Sequence, residues 1–570
     1  MARASYFPHQ LARLACKSSS QILLRRYRCH PPAAPESRGN TAGLDERKLQ
    51  WRRSQPDGAE ASWKRRDSHP PGRQATLISM VDIDGQGHRL VHLDLKGAPP
   101  RINYYEQLFP LIRSFGATGL LIEYEDMFPY HGKLKHLQAQ NAYTPDDIAK
   151  LHSMADVNNL IIIPLVQTFG HFEYVLKHDE NRALREVEHY PNALCPTHPD
   201  AFPLVTKLIT QVLELHPKDK HLHIGADEVW HIGRCPRCQD EMETHKMTTN
   251  DLFLMWVLRL AKWIKAKYPH LTLIMWDDMM RQIPLERLLS SGIGDVVEPM
   301  IWQYHAKKFD FPPDLFSRYG AVFDGLWVAS AFKGATGSTQ FLPPIQHHIN
   351  NHLTWITTLA EHKHQFKKCF GVCITGWQRY DHYAVLCELL PVGIPSLCLC
   401  LRVLTHESFT EADHDSVSQQ LGFSHRINVI PFPRPQVIEQ GMQFPGYRVY
   451  IGVQMWSNFV CKYQAISNSE GMLGWFSDYQ RSKNFTNPVQ VESIMKPLQE
   501  VLQNLTELRS HFIPWLLEIF YEDTVEEWVG SFIDPLLEKL SQGGRSPTSV
   551  AILEGPSQQS SKRHHRFRLF

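Results

Sequence analysis

The chain has 570 residues, 43% of them hydrophobic and 21% charged, a balance typical of globular proteins and long enough to bury a sizeable core. Lys and Arg number 60 against 59 Asp and Glu, a net charge of +1, which argues against a nucleic-acid-binding protein as a whole. The longest uncharged apolar run, 389–401, is interrupted by Pro391 and Pro395, so no membrane span is expected.

Residues 1–80 carry 15 Lys/Arg and 6 Asp/Glu, with Pro31-Pro32 and Pro70-Pro71. They lack sustained periodicity and read as a disordered basic leader. The first 35 residues, with six basic groups and no acid, superficially resemble an organelle transit peptide. An odd count of 11 scattered cysteines fits a reducing compartment better than a disulfide framework. Cytoplasm and nucleus are therefore the expected location, with mitochondrial targeting left open.

From residue 85 the pattern changes. Eight short apolar segments, rich in β-branched and aromatic residues, follow in series: 89–95, 119–125, 160–167, 221–226, 271–277, 296–303, 323–330 and 370–377. Each reads as a buried strand. Amphipathic stretches separate them. Residues 144–158 open with Thr144-Pro145-Asp146, a cap followed by proline in the first turn. Residues 200–216 and 251–267 space their apolar residues at helical intervals. Eight strands joined by helical crossovers must run parallel. The α/β class follows, and with it a (β/α)8 TIM barrel over 85–405. An open doubly wound sheet is the competing architecture, but the first strand is not followed by a Gly-rich phosphate loop. Residues 406–545 turn mainly helical, with Leu498, Val501, Leu502, Leu505 and Leu508 on one face. These helices are expected to cap the barrel or to pair two subunits as a homodimer. Residues 546–570 read as a flexible basic tail.

In such a barrel the C-terminal ends of the strands face the active site. Those ends are polar and aromatic here: Asp94 and Lys96, Glu123, His171, Asp227-Glu228, Trp276-Asp277, Trp302 and Tyr304, Trp327, Trp377. Aromatic faces stack on sugar C–H faces, and carboxylates and cations bind hydroxyls, so the set points to a carbohydrate. A phosphate site would want backbone N–H groups and cations instead. Asp-Glu also stands at 45–46 and 179–180, but the pair at 227–228 directly follows an apolar strand. Glycosidic cleavage needs a protonated acid beside the leaving oxygen. Burial and an adjacent negative charge keep a proton on one member of such a pair.

His221-Leu-His-Ile-Gly-Ala-Asp-Glu228 resembles the catalytic strand of glycoside hydrolase family twenty, the β-N-acetylhexosaminidases. Leu90–Gly97, Leu121–Asp126, Val166–His171, Ala331–Gly337 and Thr375–Tyr383 carry the resemblance further, over about residues 85 to 540. It implies a retaining, substrate-assisted mechanism on terminal β-linked GalNAc or GlcNAc. Glu228 would be the general acid and then the general base. Asp227 would orient the substrate's acetamido group, with Tyr304 as a second partner. Trp302, Trp327 and Trp377 would wall the pocket, Trp276 and Asp277 would sit at its mouth, and His171 and Glu123 would support the acid or bind hydroxyls. Many family members carry Asp-x-x-Arg at the first strand; here Asp94-Leu-Lys96 stands there, and a lysine offers a point contact instead of a fork. That leaves galacto against gluco preference open. A catalytically degenerate sugar-binding paralogue is the alternative.

No cofactor and no metal ligand is expected. His92 and His171 are too few at the strand ends for a metal cluster. Cys235-Pro-Arg-Cys238 would need a second pair or two histidines at suitable spacing, and the nearby sequence supplies none, so a plain loop is expected.

Overall fold

The computed structural model describes residues 87–429 and 441–544; the expected leader and tail lie outside them. Eight strands close into one barrel: β1 (His88–Asp94), β2 (Gly119–Glu123), β3 (Ile161–Leu165), β4 (His221–His223), β5 (Thr272–Trp276), β6 (Glu298–Trp302), β7 (Leu326–Lys333) and β8 (Cys369–Gly376). Every strand pairs in parallel with its sequence neighbours, and β1 closes against β8 through Leu90↔Cys373 and Val91↔Ile374. All eight predicted strands are present.

Side chains alternate across a strand, and the packing obeys this. Leu90, Leu121, Ile163, Ile274, Met300, Ala329 and Cys373 fill the barrel interior. Their neighbours Val91, Leu120, Ile162, Leu273, Ile301, Val328 and Ile374 point outward into the core shared with the helices. The helices form where capping and periodicity predict them. Thr144 and Asp147 make a capping box ahead of Pro145 on helix 145–157, and Thr248 and Asp251 repeat it ahead of helix 249–267. The proline-bearing apolar run becomes the wholly buried start of helix 390–406. No described helix is long and apolar enough to cross a membrane.

Helices 411–420, 447–467, 488–517 and 522–528 follow the barrel. Val501, Leu505 and Leu508 are buried along one face, as their spacing predicts. This region is sewn to the barrel's first loop. The Arg101 amide donates to Ile519 O at 2.6 Å, and the Thr524 hydroxyl donates to Gly97 O at 2.7 Å.

One departure from the expected strand limits moves a residue from one end of the barrel to the other. β7 starts at Leu326 and runs on to Lys333, past the expected end at 330. Trp327 is therefore near its first residue. Its ring stacks on His88 at 5.9 Å and packs edge-on to His221, both at strand starts. Its Nε1–H donates to Glu298 Oε2 at 2.7 Å. Trp327 plugs the N-terminal end of the barrel and does not wall a pocket at the mouth. Trp327→Phe keeps the ring but strands the Glu298 carboxylate, so urea unfolding should show a loss of about 1–3 kcal/mol. An unchanged midpoint would place the indole N–H elsewhere.

Candidate active site

At the C-terminal end of the barrel the backbone after β4 leaves the extended form. Gly225, Ala226 and Glu228 have φ of 62°, 69° and 47°. The β3 loop lies against this segment. Gly170 is required there, because a Cβ would fall 1.9 Å from the Asp227 carbonyl oxygen. The next residue, His171, also has a left-handed φ of 47°. Its Nε2 lies 3.0 Å from Glu228 Oε2 and 3.6 Å from Asp227 Oδ2. Burial disfavours a charged imidazole, but the two carboxylates outweigh it and hold His171 well above its ordinary range.

Asp227 is buried, and its Oδ1 accepts no hydrogen bond from the described protein atoms. Burial pushes this acid up to about 6; the Glu228 charge adds to the push and His171 opposes it. A third carboxylate completes the group. Asp278 Oδ2 accepts the Glu228 backbone N–H at 3.0 Å, and its Oδ1 accepts Trp302 Nε1–H at 3.2 Å. Burial and Asp227 push Asp278 up to about 7 against the opposing Arg281.

An aromatic wall continues from Trp302. Its ring stacks on Tyr304 at 5.4 Å. Trp377 Nε1–H donates to Tyr304 Oη at 3.2 Å. Trp377 then lies 5.9 Å from Trp276, and Trp276 lies 4.5 Å from His223. Trp302, Tyr304 and Trp377 are half-buried, whereas Trp276 is buried beneath them.

A second charged cluster forms the floor. Lys96 Nζ lies 3.1 Å from Asp94 Oδ2 and 3.5 Å from both Glu123 Oε1 and Glu125 Oε1, and 5.4 Å from the Trp377 ring centroid. Burial disfavours the ammonium, but the three carboxylates hold it well above its ordinary range. Glu123 also meets His92 Nε2 at 3.0 Å. Burial would raise Glu123, yet Lys96 and His92 pull it below the carboxylate range. Glu125 goes the other way: burial, joined by Glu123 and Asp94, holds it well above, despite Lys96.

Two paired acids held by a histidine beside an aromatic wall, at the open end of a parallel barrel, are equipped for acid–base work on a sugar. The profile of the glycosyl hydrolase family 20 catalytic domain matches residues 120–308. The human protein named hexosaminidase D is 41% identical over 461 residues, covering 79% of this chain and 92% of that protein. The chain belongs to glycoside hydrolase family 20. The bovine hexosaminidase D is 46% identical over 343 residues, 59% of this chain and 97% of that protein. Among solved structures, a β-N-acetylhexosaminidase from Bacteroides fragilis superposes with a TM-score of 0.43 at 13% identity, covering 59% of this chain and 70% of that one.

This family 20 glycoside hydrolase brings Asp227, Glu228, His171, Trp302, Tyr304, Trp276 and Trp377 into one contiguous group. Other expected site residues sit differently. Asp277 is fully buried and faces away, because it alternates with the inward Trp276. Arg281 grips it bidentately at 2.6 and 2.8 Å, and Tyr319 Oη donates to it at 3.2 Å. It anchors the β5 loop and is not at the mouth. Glu123 is wholly enclosed, and Lys96 is committed to three carboxylates instead of projecting as a free cation. Asp278 was missing from the expected site. What brings it in is structural: one residue beyond Asp277 the chain turns back through a 3-10 turn at 278–280.

Asp227, Asp278 and His171 all bind their protons more tightly folded than unfolded. The stabilisation they contribute is present at low pH and fades as pH rises through about 6 and about 7 for the two acids, and later for His171. Thermal unfolding of the free enzyme should therefore fall between about pH 5 and pH 8, and Asp278→Asn should flatten that fall. Parallel pH profiles for the two proteins would contradict the assignment.

Proposed function

We propose that the chain is an exo-acting β-N-acetylhexosaminidase that hydrolyses terminal non-reducing β-linked GalNAc or GlcNAc with retention, using the substrate's own acetamido oxygen as nucleophile. The observation that carries this reading is Asp227 Oδ1, a buried acceptor with no donor among the described residues, next to a glutamate held by an imidazolium. An acetamide N–H is the donor that such an acceptor fits. Polarising that N–H drives the carbonyl oxygen toward the anomeric carbon, and no second enzymic nucleophile is needed. Glu228 protonates the glycosidic oxygen as the C–O bond breaks, and an oxazolinium ion forms. The Glu228 carboxylate then takes a proton from water, which attacks the anomeric carbon from the face the aglycone left and breaks its bond to the acetamido oxygen. The half-buried Trp302, Tyr304 and Trp377 offer apolar faces to the ring and the acetamide methyl.

The test is turnover of p-nitrophenyl β-GalNAc and β-GlcNAc, with the first-formed anomer read by proton NMR. Glu228→Gln should lower kcat/KM by about 10²–10⁴-fold. Asp227→Asn should lose somewhat less, and the β-anomer should appear first. Wild-type turnover in Glu228→Gln, or an α-anomer first, would overturn the reading. His171→Gln removes the cation that opposes protonation of Asp227. Its acid limb in the pH profile of kcat/KM should therefore move to higher pH; an unmoved limb would leave His171 with packing alone.

A further inference from the structure

The excursion between β3 and β4 includes a two-stranded hairpin, Arg185–Val187 with Tyr190–Leu194. It carries Glu186 and, just past its end, Cys195. After the Asp227–Glu228 segment the chain comes back beside it and starts helix 236–245 with Cys235 as N-cap and Cys238 in the first turn. The spacing of Cys235-Pro-Arg-Cys238 shows no further ligands nearby in sequence; the fold supplies two, forty or more residues upstream.

Glu186, Cys195, Cys235 and Cys238 each present one donor atom, and all four donors lie within 4.8 Å of one another. Cys195 Sγ is 3.4 Å from Cys235 Sγ and 3.7 Å from Cys238 Sγ. Cys238 Sγ is 3.1 Å from Glu186 Oε2. Two thiolates on a tetrahedral zinc with Zn–S of about 2.3 Å lie about 3.8 Å apart. The observed separations are close to that edge and far from a bonded sulfur pair of about 2.05 Å. The carboxylate is pre-aimed. Its Oε1 accepts the backbone N–H groups of Arg234 and Cys235 at 2.5 and 2.9 Å, which leaves Oε2 toward the sulfurs. Thr197 Oγ1 lies 3.2 Å from Cys238 Sγ, and the Cys238 N–H points to Cys235 Sγ at 3.4 Å. These are the outer contacts that orient thiolate ligands.

We propose that these four residues bind one structural Zn²⁺ through three thiolates and one carboxylate. Binding releases the three thiol protons and leaves the centre formally at −2. The N-terminus of the ten-residue helix 236–245 and the three backbone N–H groups offset that charge. Three soft sulfurs select zinc over magnesium or calcium. With four protein ligands the site is closed, which makes it a clamp and not a catalytic centre. It joins the segment that follows Glu228 to the hairpin. The hairpin in turn is tied to the His171 loop by Leu194 N–H to Phe169 O and Phe172 N–H to Asn192 O, each 3.1 Å.

The experiment is metal analysis of the full-length protein, purified without chelator and dialysed against zinc and then against metal-free buffer. Mass spectrometry should find about one zinc per chain. Cys195→Ser and Cys238→Ser should lose it, while Cys461→Ser, on helix 447–467, should keep it. Cobalt(II) in place of zinc should give thiolate charge-transfer bands and the absorption of a tetrahedral ion. Should the cysteine variants fail to fold, the wild-type cobalt spectrum and zinc protection of these thiols against iodoacetamide decide the matter. A metal-free wild-type protein whose three thiols alkylate freely, or a disulfide among them, overturns the proposal.

Discussion

Adjacent residues of a regular strand point to opposite faces, so two neighbouring side chains share a pocket only where the backbone abandons the pleat. That constraint governs this site. Trp276 is the last residue of its strand and Asp277 the first beyond it, and the two side chains diverge, one into the barrel and the other onto Arg281. Asp227 and Glu228 follow Gly225 and Ala226, whose left-handed φ values break the alternation, and both reach His171. Left-handed φ in non-glycine residues costs on the order of 1–3 kcal/mol each. Ala226, Glu228 and His171 all hold it. Such strain persists only where packing enforces it, and the contact of Gly170 with the Asp227 carbonyl is that enforcement. The paired acids lie where two irregular backbones lock against each other, each unable to relax without displacing the other.

The electrostatics follow from the same crowding. Asp227, Glu228 and Asp278 are faced by His171 and Arg281, while Asp94, Glu123 and Glu125 share Lys96. Carboxylates outnumber cations, and a raised proton affinity relieves part of the excess: Glu125 is held well above its range, and Asp227 and Asp278 are pushed up to about 6 and about 7. A surplus of buried acceptors suits a reaction in which positive charge develops on the sugar, because preformed dipoles and charges need no reorganisation when that charge appears. The neutral substrate gains little from the surplus, whereas an oxazolinium-like species gains much. For the proposed route this is differential binding in its plainest form.

The barrel was legible because its strands are β-branched runs bounded by polar turns, and eight of them in series leave few architectures. The aspartate–glutamate pair was legible because it follows such a run. What failed was finer than the element. Trp327 was assigned to the wrong end of the barrel because the apolar run 323–330 covers the start of β7 and misses its last three residues. Asp277 was assigned to the mouth because composition says nothing of parity. Asp278 was passed over for the mirror-image reason, since it needs the turn that only coordinates reveal. Glu186 and Cys195 were beyond reach altogether. Their proximity to Cys235 is set by a hairpin excursion whose docking no local spacing encodes.

The C-terminal helices also gain a role from these contacts. Asp94 ends β1 with Lys96 two residues beyond it, and Trp377 follows β8, the two strands that close the barrel. Gln378 N–H donates to Asp94 Oδ2 at 2.7 Å across that seam. One residue on, Arg379 forms an ion pair with Glu527 at 2.6 Å, while Thr524 holds the Gly97 carbonyl. Both bracing residues belong to helix 522–528. The loops that carry the lysine floor and the Trp377 wall are thus each tied to one short helix far away in sequence. A barrel ending at residue 406 would leave Arg379 without its carboxylate and Gly97 without its donor, at the place where the Asp94–Lys96 cluster needs fixed backbone. The helical region is therefore part of the scaffold of the candidate site, supporting the side of the mouth opposite the segment that bears Asp227 and Glu228 in the strand order β1-β8-β7-β6-β5-β4.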